Sequence, residues 1–287
     1  MKWNKGIIYM LLASLTFAIM NVCIKFVRHI PTPEVMLFRA GVQLLLSLPI
    51  ILQHKLNVLG NNTKLLIARG VTGTLALFCY IYTLQNMPLA SAMTLYYLAP
   101  IMTAILARYI YKEHFSPIQW LFFILSFAGI VMVKGFDTRI SLFEFCVGIA
   151  GALISGLSYN FVRQLGKTER PIITVLYFPL VTFPIVLCVC LYGYWLTPTW
   201  IDLLWMLSIG ITTQVGQVFL TLSYQYEEAN KVVIFSYVGI IYASGLGYLI
   251  FHETYPFWSV IGMCMVLCGV LMSALIKRKF TFSRKIF

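Results

Sequence analysis

Apolar residues follow one another in long runs along the whole chain, with only short polar interruptions between them. Almost every stretch of about twenty residues is apolar enough to cross a bilayer core about 30 Å thick. A helix satisfies its own backbone hydrogen bonds in lipid, whereas an open sheet does not. The pattern, with prolines and Gly-Asn marking many joints, therefore predicts ten membrane-spanning helices, over residues 6–28, 34–53, 65–86, 91–111, 117–134, 146–165, 171–194, 201–225, 230–250 and 256–276.

Two segments of the chain share one pattern. Residues 90–113 and 229–253 each begin with alanine, continue through about twenty apolar and aromatic residues, and end with glutamate. A linker with a proline and a final apolar helix follow each segment. Earlier in each half, Lys25 matches Arg163 at an offset of 138 residues, and the glutamates match at 140. A small drift in the offset is typical of a duplicated unit.

Each predicted repeat holds five helices, which is an odd number, so the two copies must cross the membrane in opposite senses. The first repeat covers residues 1–139, the second covers 140–276, and a basic tail at 277–287 is expected to rest on anionic lipid. The predicted fold is an all-α integral membrane protein, with ten transmembrane helices as two inverted five-helix repeats around a central cavity. Such repeats are typical of transporters that work by alternating access.

Charge changes the expected surroundings of the chain. Only 10% of the 287 residues are charged, against roughly a quarter in soluble domains. The net charge of +12 lies between the apolar segments, so the expected partners are the lipid bilayer and a small-molecule substrate, with no nucleic acid; a homodimer stays open. With the N-terminus in the cytoplasm, 16 of the 21 lysines and arginines lie inside. Both termini are therefore expected in the cytoplasm, at a bacterial inner (plasma) membrane given the compact loops.

The sequence YIYTLQNMPLASAMTLYYLAPIMTAILARYIYKE at residues 80–113 resembles the EamA-type repeat of the drug/metabolite transporter superfamily, as does the segment at 216–232. The resemblance covers residues 6–276 twice over. It implies a ten-helix permease of two inverted repeats with a central substrate cavity. Through EVMLFR at 34–39 and GQ at 216–217, the chain is also similar to organic-anion and nucleoside-type solute carriers of the 35G kind and to bacterial S-adenosylmethionine uptake permeases.

A polar stripe marks the eighth predicted helix. Gln214, Gln217, Thr221 and Tyr224 are spaced three and four residues apart, so they share one helix face. Two glutamines inside a membrane helix are expensive unless they are paired or face water. One interpretation is a cavity wall that binds substrate; the other is hydrogen bonding between helices, worth about 0.6 kcal/mol per bond.

Basic and amide side chains lie in the first two predicted helices. Asn21 and Lys25 are one turn apart in the first, and Arg39 and Gln43 are one turn apart in the second. Together they would make one half of the cavity electropositive and suited to a carboxylate or a phosphate. The alternative is that Lys25 and Arg39 only extend toward the nearby membrane surface.

Aromatic residues and helix breakers complete the predicted site. Tyr80, Tyr97 and Tyr237 lie deep in their helices and are candidates to line the cavity. Pro100 lies inside the fourth predicted helix, where it frees one carbonyl group and permits a kink, and Gly239 takes its place in the ninth. These two positions are candidates for gating, with a static kink as the alternative.

The sequence lacks the residue patterns of catalytic, nucleotide-binding and metal-binding sites. No Asp or Glu falls in the middle third of a predicted helix, and no catalytic triad, nucleotide-binding loop or metal cluster is found, so we expect no enzyme, catalytic residue, metal or cofactor. Glu113 and Glu253 are expected at the surface, in loop or capping roles. The predicted function is secondary transport of a small polar organic metabolite (an amino acid, a carboxylate, or a nucleotide-like or S-adenosylmethionine-like molecule). The alternatives are a flippase of a lipid-linked intermediate and a non-transporting membrane scaffold.

Overall fold

The computed structural model describes residues 5–53, 60–112, 117–169, 171–193, 195–226 and 235–283. Within these ranges all regular structure is helical. The helices are α1 (Lys5–Phe26), α2 (Thr32–Gln53), α3 (Thr63–Asn86), α4 (Leu89–Tyr96), α5 (Ala99–Tyr111), α6 (Pro117–Phe136), α7 (Leu142–Leu165), α8 (Pro171–Leu191), α9 (Trp200–Tyr226), α10 (Val238–Phe251) and α11 (Phe257–Ser283). Seven spans in these ranges are long and apolar enough to cross a membrane, with α4 and α5 counted together as one. The predicted helical membrane protein is confirmed at this level.

The fourth predicted helix is divided, and not at its proline. Tyr97 and Leu98 form a turn between α4 and α5, although both keep right-handed backbone angles. Pro100 is the second residue of α5, a position where a backbone N–H would have no helical partner in any case. The helix is therefore interrupted for two residues just before Pro100, and α4 and α5 together still form one membrane span.

The second half contains a similar break. Residues 235 and 236 are helical, Tyr237 forms a turn, and α10 begins at Val238. Tyr237 follows Tyr97 by 140 residues, so a tyrosine occupies the break in both halves. Residues 230–234 of the ninth predicted helix lie outside the described residues.

The last helix is longer than predicted. α11 continues to Ser283, so the first seven residues of the expected tail at 277–287 are helical. Lysine and arginine are good helix formers, and no proline or glycine follows Gly269 to end the helix. The cluster of basic residues at 277–279 was therefore not a signal that the helix ends.

Helices from the two halves of the chain pack against each other. α1 packs against α9, α3 against α7, α2 against α8, and α6 against α11. The backbones of α6 and α11 approach each other closely, because a Cβ atom on Gly129 would lie 2.5 Å from the carbonyl oxygen of Gly262. At the centre, every residue of α4 from Leu89 to Leu95 is buried. The middle of the molecule is therefore where α1, α3, α4, α7 and α10 meet.

Candidate substrate site

Five tyrosines meet beside the two helix breaks, and we call them the tyrosine cluster: Tyr80, Tyr96, Tyr97, Tyr159 and Tyr237. The ring centroids of Tyr80 and Tyr96 are 4.4 Å apart, and those of Tyr97 and Tyr237 are 5.0 Å apart. The Tyr96 and Tyr159 hydroxyl oxygens are 2.7 Å apart and share a hydrogen bond. The cluster brings together Tyr80, Tyr97 and Tyr237 of the predicted site. It adds Tyr159 of α7, one turn before Arg163, which had no distinguishing signal in the sequence.

The two helix breaks touch each other through this cluster. A break leaves backbone carbonyl groups without their helical partners. The Tyr97 hydroxyl donates to the carbonyl oxygen of Ser236, just before the break in the second half, at 2.7 Å. Gly239 lies against the same hydroxyl, and any Cβ atom there would overlap it. The second half therefore needs glycine at 239 for this contact.

Asn21 connects α1 to the cluster. Its side chain is completely buried. Its amide oxygen accepts a hydrogen bond from the Tyr80 hydroxyl at 2.9 Å, and its amide nitrogen lies 2.9 Å from the sulfur of Met93. The structure therefore brings Asn21 and Tyr80 together, as expected for two residues of one site.

Arg39 enters the site from α2 and makes no hydrogen bond among the described residues. The side chain is 7% exposed, and its Nε and Nη1 atoms are fully buried. Its electrostatic neighbours are the hydroxyls of Tyr80 and Tyr96. One turn further, Gln43 is also buried, and its Oε1 atom has no partner in the part of the chain that the structure describes. A buried cation without partners inside a membrane helix is a functional-site candidate.

Arg69 of α3 is a second arginine with buried guanidinium atoms, although the residue as a whole is half-buried. Its Nε and Nη1 atoms are buried and form no hydrogen bond with the described residues. The guanidinium group lies 4.7 Å from the ring centroid of Phe178, and its electrostatic neighbours are Tyr159 and Tyr96. Tyr96 is thus a neighbour of both arginines. In the sequence Arg69 shares a helix face with Tyr80, but it lies near the helix end and was expected to extend toward the membrane surface, so it was not among the predicted site residues.

The glutamines of α9 are not joined to the cluster by any described hydrogen bond. Gln214 and Gln217 are half-buried, and their side chains form no hydrogen bond among the described residues. The face of α9 that meets α1 carries Thr213, whose hydroxyl lies 2.9 Å from the sulfur of Met20, and Gly216, which packs on Phe17. The side chain of Tyr224 lies outside the described residues.

Lys25 and Glu253 are buried together rather than lying at the membrane surface. Lys25 forms an ion pair with Glu253, and both side chains are buried. Glu253 was expected at the surface. It is buried because Lys25, a backbone N–H of Leu89 and the Tyr255 hydroxyl all donate to its carboxylate. The capping role is borne out in an unexpected form, since the carboxylate caps the distant helix α4. Glu113 lies outside the described residues.

Two cavities lie along this part of the molecule. The one beside Tyr80 and Tyr96 measures only about 10 Å³, so the site is closely packed in this conformation. The other measures about 550 Å³ and lies at the far end of α1, lined in part by Lys25, Arg28 and Arg139. A solute would need the helices to move before it could reach the tyrosine cluster from there.

Apolar spans that surround buried cations and tyrosines define a multi-pass membrane protein of the transporter class. Residues 4–135 and 142–275 each match the EamA-like transporter family, and the chain belongs to that family. The resemblance noted in the sequence is therefore confirmed, as are transmembrane transport and membership of the drug/metabolite transporter superfamily.

Two named proteins align with nearly the whole chain. The pseudopaline exporter CntI of Pseudomonas aeruginosa strain UCBPP-PA14 is 26% identical over 268 residues, which are 93% of this chain and 92% of that protein. Human solute carrier family 35 member G1 is 27% identical over 299 residues, covering 97% and 81% of the two chains. One protein crystal structure aligns with a TM-score of 0.64 at 15% identity, over 96% of this chain and 98% of that one, and shows the fold alone. The relatives are transporters rather than enzymes.

Proposed function

We propose that this chain is a secondary transporter that moves a small polar organic metabolite with at least one anionic group. The observation that carries the proposal is the pair of arginines Arg39 and Arg69, whose Nε and Nη1 atoms are buried and have no hydrogen-bond partner among the described residues. A carboxylate or a phosphate would accept several hydrogen bonds from each guanidinium group. Substrate binding would thus supply the partners that the protein does not.

The tyrosine cluster fits the same proposal. Tyr80 and Tyr96 are electrostatic neighbours of Arg39, and Tyr96 and Tyr159 are neighbours of Arg69. Their hydroxyls could form hydrogen bonds with polar parts of a solute, and their rings could cover its apolar parts. A membrane scaffold would have no reason to keep two guanidinium groups with buried donors that make no hydrogen bond among the described residues, because each is expensive in lipid. Gln43, Tyr97, Gln214, Gln217 and Tyr237 remain predicted contributors to binding.

The proposed mechanism is alternating access of two inverted five-helix repeats. The family match occurs twice, once in each half. Under the repeat relation α1 corresponds to α7 and α3 corresponds to α9. α1 packs against α9 and α3 packs against α7, so exchanging the halves maps one packed pair onto the other. This exchange supports a pseudo-twofold arrangement with the site between the halves. Pro100 and Gly239, at the two breaks, remain the predicted gating positions.

We also propose that both termini are cytoplasmic in a bacterial inner membrane, because the positive-inside rule then holds for 16 of 21 basic residues. A single cysteine in the loop at 252–256 should react with an impermeant thiol reagent added to the outside of intact cells. Reaction only after the cells are opened would reverse the topology.

Uptake into proteoliposomes tests the function. Labelled dicarboxylate, nucleotide, acidic amino acid, S-adenosylmethionine and a lipid-linked sugar are offered in parallel. We expect transport of an anionic soluble solute and a loss of about ten-fold or more in Arg39→Gln and Arg69→Gln, since a charge-assisted contact is worth roughly 1.5–3 kcal/mol. Arg108→Gln is the matched control. The Arg108 guanidinium also lies over an aromatic ring, that of Trp120 at 5.9 Å, but Arg108 is not part of the proposed site.

Two results would contradict the proposal. The first is movement of the lipid-linked sugar alone, which would make the protein a flippase. The second is equal uptake by wild type, Arg39→Gln and Arg69→Gln, which would remove the arginines from the site. Thermal stabilisation by the transported solute should be present in the wild type and in Arg108→Gln, and weakened in the other two variants.

A further inference from the structure

Groups from both halves of the chain converge on one buried carboxylate, at the end of α1 that is distant from Lys5. Glu253 forms an ion pair with Lys25, and it accepts hydrogen bonds from the Leu89 N–H at 2.9 Å and the Tyr255 hydroxyl at 2.6 Å. Lys25 also donates to the Met87 carbonyl oxygen at 3.1 Å. We call Lys25, Met87, Leu89, Glu253 and Tyr255 the clasp.

The clasp is desolvated and its partner set is complete. Lys25 is 9% exposed and Glu253 is 7% exposed. Such a pair repays its desolvation only when its hydrogen bonds are satisfied, and removing one partner is strongly destabilising. The carboxylate also lies at the N-terminus of α4, where the helix dipole favours a negative charge. The clasp therefore behaves as one unit that is either formed or broken.

The clasp lies directly outside the tyrosine cluster. Lys25 is one helical turn from Asn21 on α1. Leu89 and Tyr96 mark the two ends of α4, about 10 Å apart along its axis at 1.5 Å per residue. On its other side, Lys25, Met87 and Glu253 line the cavity of about 550 Å³. Along α4, the clasp therefore lies between this cavity and the tyrosine cluster.

The clasp is one of the places where the two halves of the chain meet, and it closes over the start of α4. Lys25, Met87 and Leu89 belong to the first half, and Glu253 and Tyr255 to the second. A further contact braces the same loop, since Arg139 donates to the Thr254 carbonyl oxygen at 2.6 Å. Moving the halves apart at this end must therefore break the Lys25–Glu253 ion pair.

We infer that the clasp is a gate, which closes this end of the molecule while its ion pair is formed and opens a path to the tyrosine cluster when the pair separates. The inference rests on the proposed function, because a gate requires a passage. The residues of the clasp act on access to the site and do not bind the solute within it.

Thiol labelling tests the gate without any substrate. Ser91 lies on α4 between Leu89 and Tyr96, is fully buried, and its hydroxyl has no partner among the described residues, so Ser91→Cys is a one-atom change. In a background without the seven native cysteines, this reporter is exposed to an impermeant maleimide. We expect Glu253→Gln to raise the labelling rate about ten-fold, because a broken buried pair shifts the equilibrium toward the open state.

The control and a second variant separate opening from unfolding. Glu144→Gln changes the same chemical group at the same end of the molecule, where Glu144 forms a capping box with Ser141 within one half, and its labelling rate should equal that of the parent. Lys25→Met should raise the rate as Glu253→Gln does. Each variant is compared at a temperature where its thermal unfolding curve shows it folded.

Unchanged labelling in folded Glu253→Gln and Lys25→Met overturns the gate, whether or not the protein transports. If labelling rises but no solute is taken up in any assay, the clasp still controls access and the proposed function fails on its own. Labelling that rises equally in Glu144→Gln also overturns the gate, because the loss of any capping carboxylate would then suffice.

Discussion

The same structural motif occurs at both ends of the molecule, but only one copy is buried. Lys25 lies 5.2 Å from the Phe251 ring, and Arg163 lies 4.8 Å from the Tyr111 ring. The aromatic partners are 140 residues apart in sequence. Lys25 is 9% exposed, whereas Arg163 is an exposed residue. Two matching cations over matching rings therefore have very different surroundings.

The backbone of the two copies is also alike. Lys112 and His252 follow Tyr111 and Phe251, and both adopt the left-handed conformation, with φ of 54° and 52°. Residues other than glycine rarely adopt it. α7 runs from the clasp end toward Arg163, so the two motifs lie at opposite ends of the molecule. The difference in burial is what a carrier closed at one end would show, since alternating access requires the two ends to differ at any moment.

Removing the buried carboxylate should have the largest effect on this difference. Glu253→Ala leaves the Lys25 charge buried and the N-terminus of α4 uncapped, and we expect it to lower the free energy of unfolding by about 3–5 kcal/mol. Chemical or thermal unfolding in detergent measures the change. Glu144→Ala, which breaks a capping box, should cost about 1 kcal/mol. Equal costs for the two variants would mean that burial does not distinguish the clasp.

Exchanging each cation for methionine compares the two motifs directly. We expect Lys25→Met to cost about 3 kcal/mol, because it leaves a buried carboxylate without its cation. Arg163→Met should cost less than about 1 kcal/mol, because Arg163 is exposed. Unfolding in the same detergent gives both values. A cost for Arg163→Met as large as that for Lys25→Met would contradict the interpretation that one end is closed and the other is not.

Much of the fold could be predicted because the length of each apolar run indicates a membrane-spanning helix. The predicted span at 65–86 corresponds to Thr63–Asn86, and that at 117–134 to Pro117–Phe136. The break at Tyr97 could not be predicted, since the hydrogen bond from the Tyr97 hydroxyl to the Ser236 carbonyl oxygen is a tertiary contact that local sequence does not show. Proline at position 100 predicted an irregularity in this region, and the turn at Tyr97 and Leu98 lies two and three residues before it.

The candidate site was predictable only in part. Asn21, Arg39 and Tyr80 stood out because polar groups are rare inside membrane helices, and the structure places them close together. Periodicity could not show that Lys25 turns toward Glu253, because that partner is 228 residues away. For the same reason Tyr159, which joins the cluster through Tyr96, had no local signal.

A methyl group at position 239 should sharpen the comparison of the two helix breaks. In Gly239→Ala the new Cβ atom would overlap the Tyr97 hydroxyl, and we expect a loss of about 1–3 kcal/mol in the free energy of unfolding. Gly245→Ala is the control on the same helix, because nothing lies within 4 Å of its Cβ position, and it should stabilise by about 0.5–1 kcal/mol. Adding Tyr97→Phe should relieve the cost of Gly239→Ala. If Tyr97→Phe did not reduce the cost of Gly239→Ala, the strain would not arise from contact with the Tyr97 hydroxyl.

The smallest expected effect comes from the hydroxyl that only the clasp copy carries, since Phe115 stands where the second half has Tyr255. Burial raises the pKa of Tyr255 above its ordinary value of 10.0. The unfolded chain therefore loses this proton first, so the stabilisation is complete below about pH 10 and declines as the pH rises further. Unfolding curves between pH 9 and about 11 should fall less steeply for Tyr255→Phe than for wild type. Tyr192→Phe removes a hydroxyl from a side chain that is 91% exposed and should follow the wild-type slope. If both variants kept that slope, Tyr255 would titrate alike in the folded and unfolded chain, and the clasp would be open to water.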